Sequence, residues 1–316
     1  MRRGGSRTFA FAGFERARQY IRSGPPEWRV IKYDRTMLSY QHAYHAGNHA
    51  DVLKHVVLLA LLAKLVAKTK PLRYVETHAG AGDYDLRSPA ARKNHEFLAG
   101  IAKIYGAPSA PAAVVRLVEL VRRYNDGATK VERYPGSPWL ARELLRATDS
   151  LYLFELHPAE HRALEQKLGA DRRVTVLRSN GLEGCVGLVP PPERRGLVLI
   201  DPSYEVKDEH TQVVEALTNT HRRFATGTFA IWYPVLERRW VQRFERAIRS
   251  TGIESIDLYE LCVAPDGHGR GLTGSGVIVV NPPWQLREEV TLALLWLARE
   301  LGERGSQRAV ELCASA

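Results

Sequence analysis

Short apolar runs alternate with helical segments along most of the sequence, and this alternation limits the possible folds more than any other feature. The runs that read as strands are residues 73–77, 151–155, 173–177, 196–201, 228–233, 255–263 and 275–280. Segments with helical spacing lie at 51–68, 158–168, 211–220 and 238–250. The alternation predicts an α/β fold with a doubly wound, mostly parallel sheet. The last two strands follow each other without a helix, so we expect an antiparallel pair at one edge.

Two parts of the chain lie outside this alternation. Residues 84–134 are largely helical and polar, are broken by Pro and Gly and show no obvious strand, so we interpret them as a small helical insertion. Residues 1–36 hold nine Lys/Arg and three acids, a net charge of 9 − 3 = +6, which leaves +4 of the total +10 for residues 37–316. We favour a start-site artefact, because Met37 opens the well-patterned part of the chain. A disordered basic arm that contacts nucleic acid and a transit peptide are the alternatives.

The composition excludes several classes of protein. Three cysteines without a CxxC pair argue against a disulfide scaffold or a cysteine-ligated zinc site. The longest apolar run, residues 56–63, is far shorter than the ~18–20 residues that span a bilayer. We therefore expect a cytoplasmic protein without membrane association. The basic excess favours an anionic partner such as a nucleic acid.

Polar residues follow four of the predicted strands, at the edge where doubly wound sheets bind their ligands. The turn at residues 78–82 is neither a GxGxxG fingerprint nor a phosphate loop, so a purely structural turn is an alternative. Glu155 ends the second strand, where a carboxylate commonly binds a ribose diol. A solvated surface acid is the other interpretation. The turn at residues 179–181 follows the third strand and suits contact with an adenine.

The fourth polar strand end, Asp201-Pro202-Ser203-Tyr204, gives the strongest signal. A carboxylate and an aromatic ring at the end of a buried strand suit a flat base that forms hydrogen bonds. A simple type I turn with Pro at its second position is the alternative. We favour a functional role because all four strand ends are polar in the same way.

Residues 38–55 contain four histidines. A metal site is one interpretation, because histidines three and four apart can share a helix face. No carboxylate or cysteine cluster accompanies them in the sequence, so a cofactor or nucleic-acid surface of Tyr, His and Lys fits better. Asp51 is a candidate cap for the helix that follows.

Taken together, these residues closely resemble the RlmJ family of bacterial 23S rRNA adenine-N6 methyltransferases, which use S-adenosylmethionine. The resemblance runs over nearly all of residues 37–316 and leaves out residues 1–36. Its most specific stretches are residues 37–40, 45–55, 77–82, 134–138, 155–158 and 281–284. It implies a Rossmann-like class I methyltransferase domain with a small helical insertion.

The resemblance also implies roles for single residues. The positions that would contact the cofactor are His55, His78, Gly80, Ser137, Glu155, Asn180, Gly181 and Asp201. The positions that would contact the substrate are Tyr40, His42 and Lys54. Asp201 and Pro202 would hold the N6 amine of a flipped-out adenine, and Tyr204 would stack on its ring. No metal is expected.

Two positions depart from the pattern of the family. Ser203 replaces the second proline of the D-P-P-Y motif, which predicts a less rigid loop and a lower rate. Asn180 replaces the usual Asp beside the cofactor adenine. An amide oxygen accepts a hydrogen bond without charge assistance, so weaker cofactor binding is predicted.

We expect a monomer whose partner is 23S rRNA that is not yet part of a fully assembled ribosome. Three other functions remain open at this point. They are a DNA adenine-N6 methyltransferase, a non-catalytic RNA-binding protein and a His-dependent metal enzyme.

Overall fold

The structure is a computed structural model that describes residues 40–205, 208–265, 271–302 and 306–313. Its strands are β1 (Arg73–Glu76), β2 (Asp83–Asp85), β3 (Arg133–Pro135), β4 (Ser150–Phe154), β5 (Val174–Leu177), β6 (Gly196–Ile200), β7 (Thr228–Val235), β8 (Ile256–Cys262), β9 (Gly274–Val280) and β10 (Ser306–Cys313). Its α-helices are α1 (His49–Val66), α2 (Pro89–Asn94), α3 (Ile101–Ile104), α4 (Ala112–Tyr124), α5 (Ser137–Leu144), α6 (Pro158–Leu168), α7 (Gly181–Gly187), α8 (Glu209–Arg223), α9 (Arg238–Arg249) and α10 (Leu286–Leu301). The predictions for residues 1–36 concern a part of the chain outside the described residues.

Eight strands form one sheet in the order β10-β8-β9-β7-β6-β1-β4-β5. Strands β5, β4, β1, β6 and β7 are mutually parallel. Strand β9 is antiparallel to both β7 and β8, and β10 is antiparallel to β8. The mostly parallel sheet with antiparallel strands toward one edge is thus confirmed. Strand β10, which lies outside the predicted pair β8–β9, was not predicted from the sequence.

The two faces of the sheet are covered by different helices, which explains the apolar strands. In β6, Leu197 and Leu199 pack in the core that includes α1 and α10. Val198 and Ile200 point to the opposite core, which includes α7, α8 and α9. Because successive side chains of a strand face opposite sides, a strand covered on both faces needs an uninterrupted apolar run.

Helix α1 is buried along most of its length, from Ala50 to Leu62. This burial explains the apolar run within it, since a helix surrounded by protein is apolar on all sides. The predicted cap is wrong: Asn48 caps the helix by accepting hydrogen bonds from the N–H groups of Ala50 and Asp51. Asp51 lies in the first turn instead.

The segment between β1 and β4 contains helices α2 to α5 and a small two-stranded sheet. The expectation of no strand within residues 84–134 is wrong, because β2 pairs with β3 antiparallel. Each of these strands is three residues long, too short for a recognisable alternation. In the described ranges, no helix combines the length and apolarity that crossing a membrane requires.

Candidate active site

A cavity of about 670 Å³ opens at the carboxyl ends of β1, β4, β5 and β6. The chain leaves β1 toward β4 and β5, then returns to place β6 on the other side of β1. Such a reversal leaves a crevice at the carboxyl ends of the strands. Every residue that the sequence analysis proposed for the site lines this cavity. They are Tyr40, His42, Lys54, His55, His78, Gly80, Ser137, Glu155, Asn180, Gly181, Asp201, Pro202 and Tyr204.

The turn after β1 is fixed to the end of β4 by Glu155. Gly80 has a φ of +59°, which favours glycine, and its N–H donates to Glu155 Oε2 at 2.8 Å. Glu155 Oε1 accepts from the His157 N–H at 2.6 Å. Burial raises the pKa of Glu155, while these two N–H donors act in the opposite direction. Each carboxylate oxygen keeps a further lone pair for a ligand hydroxyl.

Helix α7 begins in close contact with the end of β1. A Cβ atom at Gly181 would lie 2.0 Å from the Thr77 carbonyl oxygen, so the position requires glycine. The Asn180 side-chain oxygen caps α7 by accepting from the Leu182 N–H at 2.9 Å. This cap was not predicted from the sequence. It uses one lone pair of Asn180 Oδ1, the oxygen that was expected to face an adenine.

Two histidines in the cavity wall are kept neutral by burial. His55 Nδ1 lies 2.7 Å from the Tyr134 hydroxyl, and burial lowers the pKa of His55 to about 3. Burial also lowers the pKa of His78 to about 4. His55 Nε2 is buried and has no hydrogen-bond partner among the described residues. A buried ring nitrogen without a hydrogen-bond partner is consistent with a cavity wall that binds a polar ligand.

Glu76 and Tyr134 lie behind this wall and contact the lining residues Ser137 and His55; no role was predicted for either. Glu76 ends β1 fully buried and accepts hydrogen bonds from the Ser137 and Tyr74 hydroxyls. Burial raises the pKa of Glu76 to about 8. The sequence does indicate a role for Glu76, because a carboxylate at the end of an apolar strand is unusual. No local pattern indicates Tyr134, whose link to the site is its tertiary contact with His55.

A chain of charged groups joins α1 to the loop after β6. Lys54 Nζ lies 2.7 Å from Asp201 Oδ2 and 2.9 Å from Asp51 Oδ1, and the Lys54 side chain is 6% exposed. Burial alone would lower the pKa of Lys54, but the carboxylates of Asp201 and Asp51 raise it well above its usual value. Lys54 is therefore a buried cation held between two carboxylates.

The aromatic and histidine side chains before α1 extend this chain along the cavity lining. His42 Nε2 lies 2.9 Å from Asp51 Oδ2, and His42 Nδ1 lies 2.8 Å from the Tyr40 hydroxyl. The Tyr40 ring stacks on His45, whose Nδ1 lies 2.9 Å from Glu96. A hydrogen bond to Glu96 raises the pKa of His45 although burial opposes it. These histidines thus pair with single carboxylates; within the described ranges, no group of three or more His, Cys, Asp or Glu is placed to hold a metal ion.

The loop after β6 holds Tyr204 in an unusual backbone conformation. Tyr204 has a φ of +56°, which costs a residue other than glycine about 1–3 kcal/mol. Its hydroxyl donates to the Trp232 carbonyl at 2.8 Å, and its ring meets Trp240 edge-on at 5.3 Å. These contacts offset the strain and place the Tyr204 ring in the cavity wall.

The strand order and the polar residues at the carboxyl ends of β1, β4 and β6 define a Rossmann-like class I methyltransferase, whose cofactor is S-adenosylmethionine. The cavity volume lies within the range of ordinary ligand pockets, and the free His55 Nε2 agrees with a polar ligand. Residues 69–313 match the family described as "Ribosomal RNA large subunit methyltransferase D, RlmJ". The chain belongs to this family.

Individual relatives agree with the family match. "Ribosomal RNA large subunit methyltransferase J" of Haemophilus influenzae is 44% identical over 270 residues, which cover 85% of this chain and 96% of that protein. The protein of the same name from Escherichia coli is 44% identical over 273 residues, which cover 86% and 97%. The crystal structure of protein LPL1258 from Legionella pneumophila is 36% identical, has a TM-score of 0.79 and matches 84% of this chain and 98% of its own.

Proposed function

We propose that this protein transfers a methyl group from S-adenosylmethionine to the exocyclic N6 of an adenine in 23S rRNA. The observation that carries the proposal is the Asp201-Pro202-Ser203-Tyr204 loop at the cavity, with its carboxylate paired to the buried Lys54. The family name supports ribosomal RNA of the large subunit as the substrate class.

The residues around the cavity suit the cofactor. S-adenosylmethionine supplies an electrophilic methyl group on a sulfonium cation. Glu155 would bind the ribose hydroxyls, and the Asn180–Gly181 turn would lie along the adenine. His55 and His78 are neutral because of burial, so neither repels a sulfonium. Gly80 and Ser137 would complete the contacts.

The catalytic loop suits an adenine amine. The amine is a poor nucleophile, because its lone pair is delocalised into the ring. Asp201 Oδ2 faces Lys54, which leaves Oδ1 for one N6–H, and the Pro202 carbonyl would accept the other. Both bonds draw the nitrogen toward tetrahedral geometry and free its lone pair. Holding the amine in line with the methyl group supplies much of the acceleration.

The base itself would be held by stacking. An adenine inside a helix or loop must leave its stack to reach the cavity. Tyr204 lines the cavity and would stack on the extruded base, which is worth ~1–3 kcal/mol. Tyr40 and His42 line the same cavity and would contact the flanking nucleotides.

The pairing of Lys54 with Asp201 affects whether the N6 proton leaves before or after the methyl group is transferred. Its ammonium group offsets the charge of Asp201, so the carboxylate suits accepting a hydrogen bond better than removing a proton early. Asp201 would take the proton, or pass it to water, only after the nitrogen has gained positive charge.

Methyl transfer from tritiated S-adenosylmethionine to protein-free 23S rRNA, assembled large subunits and duplex DNA tests the proposal. We expect label in 23S rRNA, more in the free RNA than in assembled subunits. Label in DNA alone would make the protein a DNA methyltransferase, and no label in any acceptor would make it a non-catalytic binding protein. Mass spectrometry of 23S rRNA from a deletion strain should show one methyl group missing.

Asp201→Ala tests the catalytic assignment. We expect methyl transfer to fall at least ~10²-fold, because both orientation of the amine and proton acceptance are lost, while calorimetry still shows cofactor binding. Glu254→Ala, at an exposed site in the loop between α9 and β8, serves as the control. Methyl transfer by Asp201→Ala at the wild-type rate would contradict a catalytic role.

A further inference from the structure

Helix α9 has one apolar face and one face of arginines. Val241, Phe244 and Ile248 are buried against the sheet. Arg239, Arg243 and Arg246 are exposed. Their spacing of four and three residues places them next to one another on the outer face, and we name these three side chains the arginine stripe.

The arginine stripe has no charge partner in the described part of the chain. None of its three side chains forms an ion pair or a side-chain hydrogen bond with another described residue. Some exposed arginines elsewhere are paired, as Arg87 is with Asp85 and Glu132. Residues 37–316 carry a net charge of only +4. Three unpaired arginines on one helix face therefore concentrate positive charge at one place on the surface.

The arginine stripe begins beside the cavity mouth. Helix α9 follows β7, and Leu236 between them lines the cavity and is 52% exposed. Arg239 is therefore within one turn of the mouth, and the three arginines span roughly 10 Å along the helix axis. A nucleic-acid strand whose base enters the cavity would bring its backbone to the cavity rim, and this end of α9 is part of that rim. The acidic residue within the helix, Glu245, is buried and pairs with Arg308, and the exposed Glu237 precedes the first helical turn.

The inner side of the same helix holds the catalytic loop. Trp240 meets the Tyr204 ring edge-on at 5.3 Å and stacks on Phe244 at 5.4 Å. A ligand bound to the outer face would thus contact the same helix whose inner face packs against Tyr204.

We infer that the arginine stripe binds the phosphate backbone of the substrate RNA. Guanidinium groups match phosphate oxygens with paired hydrogen bonds, and such contacts position a nucleic acid without reading its sequence. The inference rests on the proposed function, because it takes its RNA from there.

The full chain with Arg239→Gln, Arg243→Gln and Arg246→Gln tests the inference. Glutamine has a helix propensity close to that of arginine, so the helix is expected to persist. The matched control replaces three exposed basic residues on other surfaces, Lys130→Gln, Arg172→Gln and Arg299→Gln, which also lack ion pairs among the described residues. The probe is protein-free 23S rRNA at several salt concentrations. S-adenosylmethionine binding and thermal unfolding serve as controls for folding.

For the stripe variant we expect RNA binding to weaken at least ~10-fold at 0.1 M salt, and the salt dependence to lose about one unit of slope per phosphate contact removed. Cofactor binding and the rate at saturating RNA should change less than two-fold, whereas KM for RNA should rise. Equal losses in the stripe variant and the matched control would assign binding to net charge and overturn the inference. Unchanged affinity and slope in the stripe variant would overturn it as well. The proposed function fails separately, if the wild type transfers no methyl group to rRNA that it binds.

Discussion

At the residue scale, burial decides which ionisable groups of the site carry charge. Lys54 is fully buried yet keeps its charge, because two carboxylates surround it. His55 and His78 are buried without such a partner and are neutral. The sequence places all three in polar segments and gives no means of separating them.

The buried carboxyl of Glu76 leads to a prediction about pH. Burial raises its pKa from 4.5 to about 8, so the folded protein holds a proton that the unfolded chain has released between these pH values. The stabilising contribution of Glu76 is therefore complete below pH 4.5 and is lost as the pH rises toward 8. We expect the free energy of unfolding, relative to Glu76→Gln, to fall by up to about 1.4 kcal/mol per pH unit in this range.

Urea unfolding of both proteins at pH 5, 6, 7 and 8, without cofactor, measures this difference. Glu254→Gln changes an exposed carboxyl and should give a curve parallel to that of the wild type. If Glu76→Gln also runs parallel to the wild type, Glu76 ionises in the folded protein as it does in water.

Ser203 is the site of a second prediction at this scale. Its N–H donates to no described residue, and its backbone is outside the left-handed region. Ser203→Pro should therefore stiffen the loop without removing a hydrogen bond, and single-turnover transfer should be equal to the wild type or up to roughly five-fold faster. Ser203→Gly should be slower. A large loss in Ser203→Pro would mean that this loop works differently from the D-P-P-Y loop of the family.

The residues at the strand ends could be predicted from the sequence, but their partners could not. Asp201 and Glu155 follow apolar strands, so sheet topology alone places them at one edge. Lys54 and Asp201 are 147 positions apart, and no local pattern joins them. The Tyr204 contact with Trp240 depends on tertiary packing in the same way.

At the element scale, long buried elements were predictable and short or half-exposed ones were not. Strand β6 is covered on both faces and shows it as an apolar run. Strands β2 and β3 have three residues each and pair across the insertion. Strand β10 is mostly exposed or half-buried, and its apolar and polar residues do not alternate regularly. Its sequence therefore does not predict an edge strand.

The junction between β1 and α7 gives a prediction at this scale. In Gly181→Ala the new methyl group would meet the Thr77 carbonyl, and α7 or the turn after β1 must shift. We expect a loss of about 1–3 kcal/mol in stability and weaker S-adenosylmethionine binding, because the same turns line the cavity. Thermal unfolding and calorimetry measure the two effects.

Gly106→Ala is the matched control, since a Cβ there meets nothing within 4 Å. It should change stability by less than roughly 1 kcal/mol. Equal stability and cofactor binding in the two variants would show that the close approach of Gly181 to the Thr77 carbonyl does not matter for stability.

At the scale of the whole molecule, net charge is a poor guide to where RNA binds. Six of the ten net positive charges lie in residues 1–36. The family match begins at residue 69, and the two relatives align with 85–86% of this chain while covering 96–97% of their own length. We therefore expect the basic residues that bear on function to be those beside the cavity, such as the arginine stripe.

Removal of residues 1–36 should therefore leave methyl transfer to 23S rRNA within about two-fold of the full chain near 0.15 M salt, where surface charges more than ~8 Å apart are largely screened. Their six net charges would add sequence-independent attraction to RNA, so a difference in RNA affinity should appear mainly at low salt and vanish as salt rises. Parallel assays of transfer and RNA binding over a salt series test this. A truncated protein that binds S-adenosylmethionine normally but fails to bind rRNA at 0.15 M salt would show that this segment, rather than the cavity rim, supplies the main contact with the substrate.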